Sequence, residues 1–237
     1  MNNSLPQGFR ASGMHAGLKS SGGFDLTLIE NTGPRFDAAA VYTTNKVVAA
    51  PVIWSREVTK GEIVRAAVLN SGGANACTGP DGFLDTHRTA EKVGELLQIS
   101  SGEVVVCSTG LIGERLPMDK IFSGIEKLSA SLHHDSLEDV ARSIMTTDTV
   151  PKIAQNTTSG VLTVGVAKGA GMLAPTLATM LSVVMTDAIL PANSQEIFSR
   201  VCDRTYNRID SDGCMSTNDT VLLMGSGASG TELEADV

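Results

Sequence analysis

The stretch from Lys168 to Ala188, KGAGMLAPTLATMLSVVMTDA, constrains the fold more than any other. Its second half, residues 180–185, is apolar and β-branched and reads as a buried strand. Its first half is no ordinary strand lead-in: Gly169, Gly171 and Pro175 signal a backbone that is sharply bent or closely approached. Thr179 stands at the junction. Within a chain its hydroxyl is a poor nucleophile, with no adjacent His to take its proton. If the Ala178–Thr179 bond is cut, the new α-amino group, with a pKa of roughly 7.7–8.0, supplies a base. The plainer reading is a threonine that opens an apolar strand, and this stretch alone does not separate the two.

The rest of the chain supplies a mixed set of elements. Apolar alternation or short buried runs predict strands over 24–30, 38–43, 47–54, 65–69, 103–107, 161–167 and 220–224. Pro51 places the third of these at an edge or an irregular start. Amphipathic spacing predicts helices over 85–99, 119–132, 136–144 and 193–204. Asp119 reads as a helix cap, and Ser136 with Asp139 has capping-box spacing. Residues 1–23 are polar and Gly-rich and read as irregular. No regular βαβ alternation runs through this order, so a layered α+β fold is expected in place of a doubly wound sheet.

Two polar turns follow buried strands. Asn70–Gly79, NSGGANACTG, is dense in residues that tolerate unusual dihedrals and offer local hydrogen bonds. It reads equally as the lining of a polar site or as a tight structural turn. Ser108–Gly113, STGLIG, can aim backbone N–H groups and a Thr hydroxyl at one point, as an oxyanion hole requires, or be a plain strand-to-helix turn. Gly225–Gly230 matches G-x-G-x-x-G behind a strand; a dinucleotide site needs a helix opening there and an acidic residue about 20 positions on, but the chain ends first and TELEADV is a poor helix opening, so the match reads as chance.

Charge and cysteines exclude several function classes. The net charge is −8 and no Lys/Arg run interrupts it, which argues against a nucleic-acid surface. There is no 18-residue apolar run and no secretory signal, so a soluble cytoplasmic protein without membrane attachment is expected. Cys77, Cys107, Cys202 and Cys214 show no C-x-x-C and no His at ligand spacing; they read as reduced thiols, with no metal site. The end of the chain, TELEADV, follows a Gly-rich turn with no closing element and suggests truncation.

Three blocks together go beyond composition: STGLIGERLP (108–117), IMTTDT (144–149) and KGAGMLAPTLATML…TDA (168–188). Asp25 in FDLTLI, NSGGANACTG and STNDT (216–220) join them in the same order. The chain resembles the ornithine acetyltransferase family, the glutamate N-acetyltransferases of arginine biosynthesis. That resemblance implies an N-terminal-nucleophile-like layered sandwich in a self-cleaving precursor. The cut would fall between Ala178 and Thr179, giving an α chain (1–178) and a β chain that begins at 179 and continues past 237.

By the same resemblance Thr179 attacks the acetyl group of N-acetylornithine with its freed α-amine as base, and glutamate then takes the acetyl from the Thr179 ester. Thr109 and Gly110 match the oxyanion pair, Lys168 a substrate-binding lysine, and Thr146 or neighbouring Thr147 a substrate-binding threonine. Small-molecule substrates, no cofactor, acetyl-CoA as an open second donor, and paired α and β chains as a heterotetramer complete the expectation. Family members are longer, and their C-terminal part supplies further substrate contacts. Three alternatives stand beside this reading: an aminopeptidase of the related self-cleaving fold, a nucleotide-binding module on Gly225–Gly230, and an inactive fragment.

Overall fold

A computed structural model of the chain describes residues 3–172, 174 and 180–233. Nine strands and five α-helices occur among them: β1 (Phe9–Met14), β2 (Leu26–Asn31), β3 (Asp37–Tyr42), α1 (Ala50–Thr59), β4 (Ala66–Asn70), α2 (Gly79–Leu97), β5 (Val104–Ser108), α3 (Met118–Ser129), α4 (Leu137–Ser143), β6 (Lys152–Thr158), β7 (Val161–Lys168), β8 (Leu181–Thr186), α5 (Ser194–Arg204) and β9 (Thr220–Gly225). They form a four-stranded sheet, β1-β2-β4-β5, and a five-stranded sheet, β3-β9-β8-β7-β6.

Strand periodicity explains how the sheets stack. In β4, Ala67 and Leu69 face one way and Ala66 and Val68 the other, because successive side chains alternate. Ala67 and Leu69 join Ile29, Val105, Val183, Met185 and Leu222 in a core between the two sheets. Ala66 and Val68 instead join Leu28, Val104 and Val106 under α2 and α3, against Ala90, Val93, Ile121 and Ile125. Beyond the second sheet, Val221 and Ala39 pack on Phe198 and Cys202 of α5. The order is therefore helix, sheet, sheet, helix. Burial of each such Leu, Ile or Val contributes roughly 1.5–3 kcal/mol.

Both sheets leave an edge that a helix side chain closes. On β5, Ser55 Oγ donates to Val106 O (2.8 Å) and accepts from Val106 N–H (3.0 Å), while Trp54 Nε1 donates to Val104 O (3.0 Å). On β3, Gln195 uses both ends of its amide on Ala40, at 3.0 Å each. Covered edges cannot recruit a foreign strand. A Ser55→Ala substitution leaves the Val106 N–H and C=O unpaired in a buried position, so a loss of about 1–3 kcal/mol is expected. Chemical denaturation checks this, and an unchanged midpoint would contradict it.

Several sequence expectations need correction. Residues 47–54 are not a strand: Pro51 sits in the first turn of α1, where its fixed φ suits a helix and its missing N–H costs nothing. Residues 1–23 are not wholly irregular, because β1 pairs antiparallel with β2 from Phe9↔Asn31 to Met14↔Leu26. Asp119 does not cap α3; it lies in the first turn after Pro117. Ser136 precedes α4 without a side-chain cap, and its hydroxyl donates to His133 O instead. The strand β6, which was not foreseen, forms a hairpin with β7. Two parallel pairs, β4 with β5 and β8 with β9, each enclose a helix, so βαβ units exist but do not repeat around the sheet. Among the described residues after Gly225, 226–233, the chain turns without opening a helix, and Gly227 packs on Arg35. Among the described residues the four cysteines are free, no group of His, Cys, Asp and Glu could hold a metal ion, and no helix is long and apolar enough to cross a membrane.

Candidate functional site

The topology brings particular strand ends together. β4 and β5 run parallel and finish at Asn70 and Ser108; β7 finishes at Lys168 beside the start of β8, paired as Lys168↔Leu181. β9 starts next to β8, paired as Leu181↔Thr220. Polar turns from both sheets therefore meet at one end of the sandwich, around a cavity of about 660 Å³. Thr109, Gly110, Thr146, Thr147 and Lys168 all line it. Ala178 and Thr179 lie outside the described residues. Met180, the next residue in the chain, is buried at the foot of β8.

The turn after β5 has one conformation open to it. Thr109 N–H donates to Asn70 O (2.9 Å), and Thr109 bridges Gly73. Gly110 has φ +133, and a Cβ there would lie 2.7 Å from Gly73 N and 3.0 Å from Gly72 C. Only glycine meets both demands. Gly72 in turn has no room for a Cβ against Leu18. Leu18 is held by Asp25, whose buried carboxylate gathers the N–H groups of Ala16 (2.6 Å), Leu18 (2.6 Å) and Lys19 (3.0 Å). The glycines of NSGGANACTG and the aspartate of FDLTLI thus serve the same turn.

Lys168 is 1% exposed and its Nζ donates to Thr109 Oγ1 at 3.1 Å. Burial pushes its pKa down to about 8, against the opposing pull of Asp148 and Asp219. An ammonium can only donate, so Thr109 Oγ1 accepts from Lys168 and keeps its own proton for another acceptor. Asp148 ties the next segment in place, taking the N–H of Gly169 (2.9 Å), the N–H of Thr146 (3.2 Å) and the Lys152 ammonium. Burial raises its pKa, but these three bonds outweigh burial and the net shift is downward. The hydroxyl-rich segment 146–149 is thereby fastened to the end of β7.

Sequence reasoning missed several groups at this end of the fold. Lys19 and Arg115 also line the cavity; Lys19 donates to Phe24 O (2.8 Å) and Met145 O (2.6 Å). Arg115 forks onto the buried Asp85 of α2 at 2.7 and 2.9 Å. Arg115 stands inside the STGLIGERLP block, three residues before α3, while its partner Asp85 lies in α2, and a pairing across 30 positions has no local signal. Asp219, fully buried beside Met180, is the third, and burial pushes its carboxyl up to about 7.

The arrangement is chemically specific: a hydroxyl and a glycine at one turn, a buried ammonium bonded to that hydroxyl, and a cavity that all three line. The chain is 58% identical over 224 residues to a Streptomyces avermitilis protein named arginine biosynthesis bifunctional protein ArgJ, covering 94% of this chain and 58% of that protein. It spans about three-fifths of the length of the curated relatives it matches. The crystal structure of ornithine acetyltransferase complexed with ornithine from Mycobacterium tuberculosis superposes with a TM-score of 0.67 at 47% identity, over 73% of this chain and 94% of that one. An Ochrobactrum anthropi L-aminopeptidase D-Ala-esterase/amidase, described as a variant of the Ntn hydrolase fold, superposes with a TM-score of 0.50 at 9% identity, over 94% of this chain and 74% of that one. The last likeness concerns the fold alone, a layered sandwich of that kind. The ArgJ family model matches residues 10–237, and the chain belongs to the ArgJ family.

Proposed function

We propose that this chain carries the nucleophile and oxyanion site of an acetyltransferase that moves the acetyl group of N-acetylornithine to glutamate, in arginine biosynthesis. The observation that carries the proposal is the convergence of the Thr109–Gly110 turn and the buried Lys168 on one cavity, at the foot of the strand that follows Thr179.

Self-cleavage at Ala178–Thr179 comes first and frees the α-amine of Thr179. That amine takes the Oγ proton while Oγ attacks the acetyl carbonyl. The tetrahedral oxyanion is met by the Thr109 hydroxyl, whose proton Lys168 leaves free, and by the Gly110 N–H. The Thr109 N–H does not take part, because Asn70 O already holds it. Collapse breaks the C–N bond, the proton passes to the ornithine nitrogen, and an acetyl-Thr179 ester remains. The glutamate amine then attacks the ester carbonyl through a second oxyanion, and Thr179 Oγ leaves with a proton. No cofactor enters these steps, and acetyl-CoA is an alternative donor to the same hydroxyl. Lys168, helped by Thr146, holds the carboxylate of the amino-acid substrates.

The cut chains stay together through hydrogen bonds. β8 and β9, from the β chain, lie between β3 and β7 of the α chain, with six paired positions from Lys168↔Leu181 to Thr163↔Thr186 on one side. Two such αβ pairs make the heterotetramer, which native mass measurement tests.

The assay uses the full-length protein with N-acetylornithine and labelled glutamate. Ornithine and N-acetylglutamate should appear in equal amounts with ping-pong kinetics. Release of acetate or cleavage of aminoacyl amides without transfer would favour the aminopeptidase instead. Lys168→Ala should raise KM for the amino-acid substrates about 10- to 100-fold, the worth of a hydrogen bond to a charged group, while slowing self-cleavage less. Equal loss of both would make Lys168 structural.

The lowered pKa of Lys168 also sets a pH limit. A lysine at about 8 loses its charge above pH 8 in place of the ordinary range near 10.5. The kcat/KM profile should therefore fall with an alkaline midpoint near 8, and a profile flat to pH 10 would contradict this assignment.

A further inference from the structure

The site is assembled from two sheets whose shared core is apolar and so non-directional: Val, Ala and Leu contacts hold layers together without fixing their offset. Directional bonds across the sheets at this end must do that. Asn218, which precedes β9, makes them, and its neighbour Asp219 ties the same segment to the start of β8 within the second sheet. Asn218 is 5% exposed, and its Nδ2 donates to Ala74 O (2.6 Å), in the turn after β4, and to Ser108 O (2.9 Å), at the end of β5. Its Oδ1 accepts from Thr217 Oγ1 (2.5 Å), and that bond fixes which way the amide points. Asp219 Oδ1 takes the Met180 N–H (2.9 Å), and Met180 O takes the Thr220 N–H (2.9 Å).

One residue of the pair thus grips Ser108, immediately before Thr109. The other grips Met180, immediately after Thr179. Asp219 is fully buried, with the Ser216 and Thr43 hydroxyls beside its carboxyl, so its orientation towards Met180 is fixed by the surrounding segment.

We propose that Asn218 and Asp219 are positioning residues that set the distance between the oxyanion turn of one sheet and the nucleophile-bearing strand of the other. The proposal rests on the assignment of Thr179, Thr109 and Gly110 above. Asn218 acts through Ser108 and Asp219 through Met180.

The test uses the full-length protein, with active sites counted by the acetyl retained from N-acetylornithine in the absence of glutamate. Asn218→Ala should lower kcat per acylable site by about 100-fold, the effect of a misplaced oxyanion donor, with KM for N-acetylornithine within threefold. A purely structural role would lower the number of acylable sites and leave turnover at each one intact. A fall of less than tenfold per site, or a KM that rises in step, overturns the proposal. Should Asn218→Ala be insoluble, Thr217→Val keeps the volume and removes only the orienting bond; about tenfold lower kcat at unchanged KM is expected, and unchanged kcat overturns it.

For the second arm, Asp219→Ala should slow self-cleavage at least tenfold. Asp219→Asn keeps an acceptor for the Met180 N–H and should restore cleavage to within threefold of the natural protein. An Asn variant as slow as the Ala variant would make charge the requirement and overturn positioning. If the natural protein is uncut or transfers no acetyl, the assignment of Thr179 fails; if it does both and the variants match it, only the clamp fails.

Discussion

A Thr179→Ala variant is expected to remain one uncut chain and to transfer no acetyl group. One hydroxyl is asked to do two jobs. It attacks the Ala178 carbonyl to break its own peptide bond, and afterwards it attacks the acetyl donor and carries the ester. Alanine removes the atom that forms both bonds. The remaining oxyanion site and binding contacts could still polarise a bound donor, but they offer no covalent route. The comparison variant is Thr179→Ser, which keeps the oxygen and should cleave and transfer at a reduced rate. Electrophoresis separates cut from uncut chains, and an Ala variant that still splits would remove Thr179 from the mechanism.

Gly110→Ala should have the second largest effect, a fall in kcat of about 100- to 1,000-fold, equal to about 2.7–4 kcal/mol of transition-state stabilisation. The physical reason is local. The φ of +133 suits glycine, and the added Cβ would press on Gly73 N and Gly72 C, both backbone atoms of a turn held by Asn70 and Asp25. The turn must then rotate, and the Gly110 N–H turns with it. Because the contact matters only when charge develops on the substrate oxygen, KM should stay within a few-fold. Steady-state kinetics on the soluble variant decide the matter; a kcat within tenfold of the natural protein would show that the Gly110 N–H is not a donor to the oxyanion.

Much of the layered fold was legible because its central strands are nearly continuous apolar runs. β5 and β8 are buried along almost their whole length, as strands with packing on both faces must be. The elements that were misread owe their structure to other causes. In 47–54 the β-branched Val48, Val52 and Ile53 suggested a strand. The stronger signal was Pro51 followed by Val52, Ser55 and Val58 at helical spacing. β1, FRASGM, carries little alternation of its own and is a strand because β2 pairs with it. β6, KIAQNTT, is a mostly exposed edge that packs Ile153 against the core and carries no apolar run, yet Ser159-Gly160 at φ 52 and 80 is a hairpin turn whose chemistry was readable.

The candidate site divides the same way. The residue types of its turns, and their order, were visible in the three blocks. The contacts that join them were not. Lys168 meets Thr109 across 59 positions, and Asn218 reaches Ser108 across 110 and Ala74 across 144. These pairings follow from how two sheets stack, a property no local window carries. Asp148 and Asp219 looked like members of polar loops; burial beside Lys168 gives them their roles.

The central claim is that Thr179 becomes an N-terminal nucleophile and holds the acetyl group. Mass measurement of the full-length protein, before and after exposure to N-acetylornithine without glutamate, tests it most directly. Two chains split between Ala178 and Thr179 are predicted, with the chain that begins at Thr179 gaining one acetyl group that maps to that residue and leaves when glutamate is added. A single uncut chain that still transfers acetyl, or an acetyl group retained at any other residue, would contradict the account.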